Sequence, residues 1–492
     1  MKKNIIIFGL AFLSLTSCDK MLDVDPKISG RALTDFSFET LQGVRQASVG
    51  LYPPVLGVYR NIWQLDVMSD DAHNTVADGL ETNSLDNRSG FAYNLWADSY
   101  TGISRCNTFL TRVPALQTLP GNETALKNQF LGEAYFLRAL HYFNLVRLYG
   151  DVPLVTVEPT NVNQLYIPRT PAAQVFAQIE SDLLQAISLL PARYPNAAIV
   201  QPIAPNIGGH TEVGRATSGA ARTLLGHMYL TTGNNIKAEE QLQAVVNSGV
   251  YSLNSNYATN FGALPGGTKN GVESIFEAQF APQGTLAGAQ NDFGWQFAPP
   301  DELSGGVAGF NRYMPTNKAL TLASDLNNTL VESFSTSDLR LNLSVRTNGG
   351  TPTVAVSRKF YSQGTGNTSS INWVVYRYAD VLLMLAEAQQ AQGNKDVQAL
   401  ANLNLVHNHP RTGLAAYVGL TGNALRDAIR LERRLELNLE GKRWFDLLRW
   451  GNIVQVMQAH NRPIQANTGG LLPIPRAEMD LNPNLTPNPG YN

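Results

Sequence analysis

One stretch near the C-terminus restricts the fold more than any other: residues 432–451, ERRLELNLEGKRWFDLLRWG, a helix-compatible segment that interleaves charges with large apolar side chains. Arg433, Arg434, Glu436, Glu440, Arg443, Asp446 and Arg449 alternate with Leu435, Leu439, Trp444, Phe445, Leu448 and Trp450. The segment is too apolar for a solvated helix and too charged for a simple core. An unpaired buried charge costs on the order of several kcal/mol, so the pattern demands a packed junction in which carboxylates and guanidiniums neutralise one another. Glu436 and Glu440 are spaced to share a helix face, but no Glu-x-x-His partner accompanies them as a carboxylate-bridged metal site requires, which favours ion pairing.

Helical spacing dominates the rest of the chain. From Leu126 to Tyr149 apolar residues recur on more than one face, and Gly150 then Pro153 supply a stop, which predicts a buried core helix. Val175, Ile179, Leu183, Ala186, Leu189 and Leu190 predict an amphipathic helix entered at Thr170-Pro171, a capping Thr and a first-turn Pro. Ala221 to Tyr229, a Gly233-Asn234 turn and Ala238 to Val246 form a helical pair. Val381 to Ala386, Gly393-Asn394 and Val397 to Leu405 repeat that geometry. A tandem period of about 34 residues is absent, so helical pairs separated by long insertions are expected. Strand signals are few: 152–157, 274–280 and 354–361.

Four stretches resemble the SusD/RagB lipoproteins. They are the 432–451 segment, Ala134 to Ala139 continuing through 148–155 (LYGDVPLV), Tyr376 to Ala388, and the tail Leu472 to Pro475 with Asn482 to Leu485. The resemblance implies a mainly α fold, a tetratricopeptide-like helical-pair scaffold with long irregular loop insertions and few short strands (a SusD-like α-α superhelix). It places helical pairs near 125–190, 215–249 and 376–450 in a single domain over residues 31–492. It also implies a partner, a SusC-like TonB-dependent outer-membrane transporter on which such proteins sit as lids.

The N-terminus reads as a processing segment. Lys2 and Lys3 precede an apolar run from Ile5 to Leu15, too short to span a bilayer, and Thr16-Ser17-Cys18 follows like a bacterial lipobox. Removal of residues 1–17, lipidation of Cys18 and a tether over 18–30 are the expectation, and the family resemblance implies the bacterial outer membrane, facing the exterior. Several acyl chains hold firmly, since each buried methylene contributes about 0.8 kcal/mol. Cys106 then has no cysteine to pair with and reads as a small buried hydrophobe in a helix. With 492 residues, 43% of them hydrophobic, the chain can bury a large core without disulfides. A net charge of -2 disfavours nucleic acid as a partner.

Two insertions are candidate ligand sites. Residues 281–315 carry Phe293, Trp295, Phe297, Phe310 and Tyr313 without periodicity, and loops of this length are functional or disordered; the aromatics bring enough apolar area to pack this one down. Trp295 or Tyr313, if exposed, offers a flat face to a sugar ring, while Gln296, Asn311 and Arg312 hydrogen-bond hydroxyls or carboxylates; the same two rings could instead serve only to fold the loop. Residues 66–94, ahead of a helix expected over 95–110, are rich in Asp, Asn and Ser. The family resemblance puts ligand-contacting loops ahead of that helix, which implies Asp70, Asp71, Asn94 and Trp96 as contacts. Trp96 equally fits the helix-packing pattern.

Catalytic patterns are missing. There is no Gly-x-Ser-x-Gly elbow, phosphate-cradling Gly-Lys-Ser loop or His-Glu-x-x-His run. His407-x-His409 has the wrong spacing for two ligands on one helical turn, and an Asp325 to Glu332 calcium loop has Leu330 where Gly is needed. The expectation is therefore a binding protein without cofactor or metal, and the family resemblance implies that it captures an oligosaccharide for uptake. Oligopeptide capture by a lid of the same type, a polysaccharide-hydrolysing lipoprotein and a helical adaptor are the alternatives.

Overall fold

The computed structural model describes residue 38 and residues 40–74, 79–115, 122–161, 166–194, 213–261, 267–281, 329–344, 371–465 and 467–491, with shorter pieces between them. The signal segment, Cys18 and the tether lie outside the described residues. Helices stack in chain order, each on its neighbour. Helix α1 (Gly90–Arg112) packs on α2 (Asn122–Tyr149), α2 on α3 (Ala172–Leu189), α3 on α4 (Ser218–Thr231) and α4 on α5 (Asn235–Asn247). After a long excursion the stack resumes where α6 (Tyr378–Gln390) packs on α5, followed by α7 (Asp396–His407) and α8 (Gly422–Glu436), which both pack on α6. The helical pairs expected from sequence are thus successive layers of one stack, with the insertion between α5 and α6 left outside it.

The layers lock through apolar stripes. Leu382, Leu383 and Ala386 of α6 meet Ala399, Leu403 and Val406 of α7 and Leu425 and Ile429 of α8, all buried. Each fully buried Leu or Ile contributes about 1.5–3 kcal/mol. Small residues set the closest approaches: a Cβ on Gly226 would lie 2.6 Å from Leu242, and one on Gly102 would lie 2.1 Å from the His141 ring. Cys106 on α1 is fully buried, and burial pushes its thiol up to about 12, as befits an inert core residue.

Three local readings need correction. Helix α3 begins at Ala172 with Pro171 at the cap and no side-chain cap from Thr170; the Asp151 carboxylate takes that role, accepting from Ala172 N at 2.8 Å. Residues 432–451 are two helices, since α8 stops at Glu436 and α9 (Arg443–Arg449) follows a turn in which Leu439 and Gly441 take φ of 58° and 69°. The stretch 152–157 forms only an isolated bridge from Val152 to Thr170.

Strands are few and short. β1 (Ala72–Asn74) pairs antiparallel with β3 (Tyr313–Pro315), and β2 (Ser274–Ala278) with β4 (Trp373–Arg377). Strand β4 feeds directly into α6, and all five of its residues are buried. Beside it Phe293 is fully buried, 5.1 Å from Trp373 and 5.5 Å from Phe280 between ring centroids, so one aromatic of the 281–315 insertion does pack the loop onto the scaffold.

Buried histidines make the scaffold acid-sensitive. His141 has no hydrogen-bond partner on either ring nitrogen, and desolvation lowers its pKa from 6.5 to about 3. Desolvation also holds His227 well below 6.5, helped by Arg147. A neutral imidazole in the folded state and a protonatable one in the unfolded state mean that acid favours unfolding. Stability is full above pH 6.5 and falls as pH drops toward the folded value. At pH 5 His141 alone removes about 2 kcal/mol, and His227 acts in the same direction. Urea denaturation at pH 7.5 and pH 5 is expected to show that loss, and His141→Leu is expected to reduce it; an unchanged pH dependence in that variant would refute the assignment.

Candidate functional site

The two candidate insertions converge. In the β1–β3 ladder Asn74 faces Tyr313, His73 faces Met314 and Ala72 faces Pro315, so the chain leaving 66–74 and the chain arriving at 313–316 run side by side. Thr316, fully buried, fastens the join: its N–H donates to the Asp71 carbonyl at 2.9 Å and its hydroxyl to the Asp70 carbonyl at 2.8 Å. The same hydroxyl accepts from Leu330 N at 2.9 Å. Nothing in the sequence marks Thr316; only the ladder reveals it.

Beneath the join lies the C-terminal segment. Arg443 holds the Asp70 carboxylate with two bonds of 2.7 and 2.8 Å, while Arg434 reaches Asp70 at 2.9 Å and Asp71 at 2.7 Å. Both carboxylates are fully buried, so they are engaged inside the protein and present no surface to a ligand; their part in the site is to fix the base of the first insertion. Those guanidiniums hold the Asp70 carboxyl well below the usual range in spite of its burial. Asp71, with Asp70 beside it, is pushed up, chiefly by desolvation. Asp66 anchors the same loop from its other end, accepting from Gly441 N at 2.8 Å. Arg462 donates to the carbonyls of Ser69 at 2.9 Å and Ala72 at 2.8 Å.

A second ion cluster lies deeper. Glu436 meets Arg340 at 2.6 Å, and Arg377 and Arg411 at 2.5 Å each; Glu273 meets Arg377 at 2.9 Å and Arg411 at 2.6 Å. Arg340 also holds Glu432 at 2.5 Å, and Glu440 meets Arg377 and Lys359 at 2.9 Å. Four cations here face four glutamates and Asp338 with essentially no solvent between them. The cluster ties α8 to β4, to the residue before β2 and to the 338–340 turn, which bracket the insertion. On the next turn Arg433 joins Asp380 and Asp446, both at 3.0 Å. The junction inferred from 432–451 is thus neutralised mainly by partners distant in sequence. Acids here are ion-paired, and no group of His, Cys, Asp or Glu fit to hold a metal occurs among the described residues.

The remaining expected contacts divide. Asn94 is exposed on the first turns of α1, Trp96 is buried at 2% exposure, and Gln296 is buried at 5%. Trp295, Asn311 and Arg312 lie outside the described residues, and of Tyr313 only the backbone is described. The ladder therefore sets the Asp70 and Asp71 carbonyls against Thr316 at one end and Asn74 against the Tyr313 backbone at the other, while Trp96 belongs to the packed face of α1.

Residues 342–491 match the SusD family, and residues 20–204 match the family described as starch-binding associating with outer membrane. The chain belongs to the SusD/RagB family. A SusD-like protein of Formosa agariphila is 26% identical with both chains covered in full. A SusD superfamily protein from Parabacteroides distasonis superposes with a TM-score of 0.75 at 26% identity, covering 91% of this chain and 98% of its own. A laminarin-binding SusD-like protein superposes with a TM-score of 0.71 at 25% identity, covering 91% of this chain and 99% of its own.

Proposed function

We propose that this chain is a lipid-anchored outer-membrane protein that binds an oligosaccharide and serves as the lid of a SusC-like TonB-dependent transporter. The observation that carries the reading is the β1–β3 ladder, which ties the ends of two polar, aromatic-bearing insertions together over an ion-paired base. The laminarin-binding relative supports carbohydrate as the ligand class, and the family described as associating with the outer membrane supports the location. No bond chemistry is required. Differential affinity of the ligand for a closed lid is enough to shift the lid equilibrium toward capture.

The contacts we assign are Trp295 and Tyr313 as stacking faces, with Asn311, Arg312 and Asn94 as hydrogen-bonding groups; the buried Gln296 is not among them. Removing an aromatic platform forfeits on the order of 1–2 kcal/mol, roughly ten- to thirtyfold in affinity. Trp295→Ala and Tyr313→Ala are each expected to weaken binding of the strongest hit from a glycan array by that factor, with unchanged thermal stability. An array without signal, together with oligopeptides co-purifying with the protein, would replace the carbohydrate reading by the peptide one.

A further inference from the structure

A cleft of about 420 Å³ opens between α1, the connection 153–166 and the C-terminal tail. Its volume falls within the range of small-molecule sites, roughly 300–1,000 Å³. The floor is carbon, with Ile103, Pro153, Val155 and Leu485 among its residues, and Tyr100 and Tyr166 contribute rings to the walls. Tyr166 is 42% exposed. Polar groups interrupt the apolar lining, Asn107 and Asn482 among them. Glu478 is bonded by Trp96 and desolvated enough to raise its pKa, and Gln164, whose amide oxygen is taken by Thr160 N at 2.7 Å, is left with its NH2 group as donor. Ser104 adds a hydroxyl.

The walls are fixed in advance. Asn482 donates to the Ile167 carbonyl at 2.9 Å and Asn484 to the Tyr166 carbonyl at 2.7 Å, so the tail holds the backbone that carries Tyr166. Arg169 bonds the Asp151 carbonyl at 2.8 Å and the Thr486 carbonyl at 3.1 Å, closing the same loop. Such preorganisation lowers the ordering cost that a ligand must overcome.

We infer that this cleft is a second carbohydrate subsite, taking one ring of a glycan chain with its C–H face on Tyr166 and its hydroxyls on Glu478 and Gln164. A carboxylate acceptor, an amide donor and tyrosine faces over an apolar floor match a hydroxylated ring better than a wholly apolar molecule, which would engage neither the amide donor nor the remaining lone pairs of the carboxylate. The tail also meets the first insertion, where Arg476 N donates to the Asn87 carbonyl at 2.6 Å. The inference rests on the carbohydrate reading above and adds a site to it.

Calorimetry on the full chain tests it, with the strongest array glycan and with laminarihexaose and maltohexaose beside it. Tyr166→Ala and Glu478→Gln are each expected to lower affinity about tenfold, the first by removing the ring face and the second by removing the charged acceptor. Both side chains are partly exposed, so melting temperatures matching the parent are expected and serve as the folding control. Parental affinity in both variants overturns the subsite and leaves the loop site standing. No binding of any glycan by the parent overturns the carbohydrate reading and the subsite together.

Discussion

Glu436→Gln is expected to destabilise the protein by about 3–5 kcal/mol, the cost of leaving buried charges without their counter-ion. Glu436 is fully buried and accepts from Arg340, Arg377 and Arg411, while its backbone carbonyl accepts from Tyr257 and Arg377 at 2.5 Å each. Glutamine preserves the shape and removes the charge, so three guanidiniums lose a shared anion. Urea denaturation should show the lower midpoint with an unchanged slope. A loss under about 1 kcal/mol would mean that Glu273, Glu432 and Glu440 neutralise the cluster alone. The same carboxylates set an acid limit. Glu432, Glu436, Glu440, Asp380 and Asp446 all titrate below their usual range because guanidiniums or ammoniums outweigh their desolvation. Their contribution is full above the unfolded carboxylate range, about pH 4, and is lost as pH falls through the folded values. This acid loss therefore begins below the one caused by the histidines.

Arg434→Met carries the second large effect, and it reaches the site. The substitution keeps the side-chain volume approximately but removes the charge that meets Asp71 at 2.7 Å, while Asp70 retains its two bonds to Arg443. A loss of about 3–5 kcal/mol is expected, with faster amide exchange at Ala72 to Asn74 and at Thr316. Glycan affinity should fall as well, because the two insertions lose their common base. Unchanged exchange at those amides would show that Thr316 and Arg462 hold the ladder without Arg434.

The helices were legible because their stripes are local. The periodicity over 126–149 and the two Gly-Asn turns locate α2, α4, α5, α6 and α7 within a few residues. The break between α8 and α9 was not, since leucine at 439 carries no warning of a left-handed conformation and Gly441 can be read as helical. Strand β4 escaped for a similar reason. Its Val374, Val375 and Tyr376 run straight into the helical stripe of α6, and only the partner at 274–278 identifies them as strand. The ionic junction was foreseen as a necessity of burial, but Glu273, Arg340, Arg377 and Arg411 stand far from 432–451 in sequence and could not be named. Asp70 and Asp71 misled for the opposite reason: an acidic pair in an irregular stretch looks like a ligand-facing loop, and only three-dimensional proximity to Arg434 and Arg443 shows it to be interior.

The three-residue ladder between Asn74 and Tyr313 has a consequence for anyone who would retarget this protein. Transplanting either excursion alone from a relative of different specificity would strip the other of its mate and uncover the Asp70 and Asp71 carbonyls that Thr316 now covers. If the two insertions form the ligand site as proposed, specificity is inherited as a matched set, and a working chimera must exchange both arms along with the threonine that buckles them.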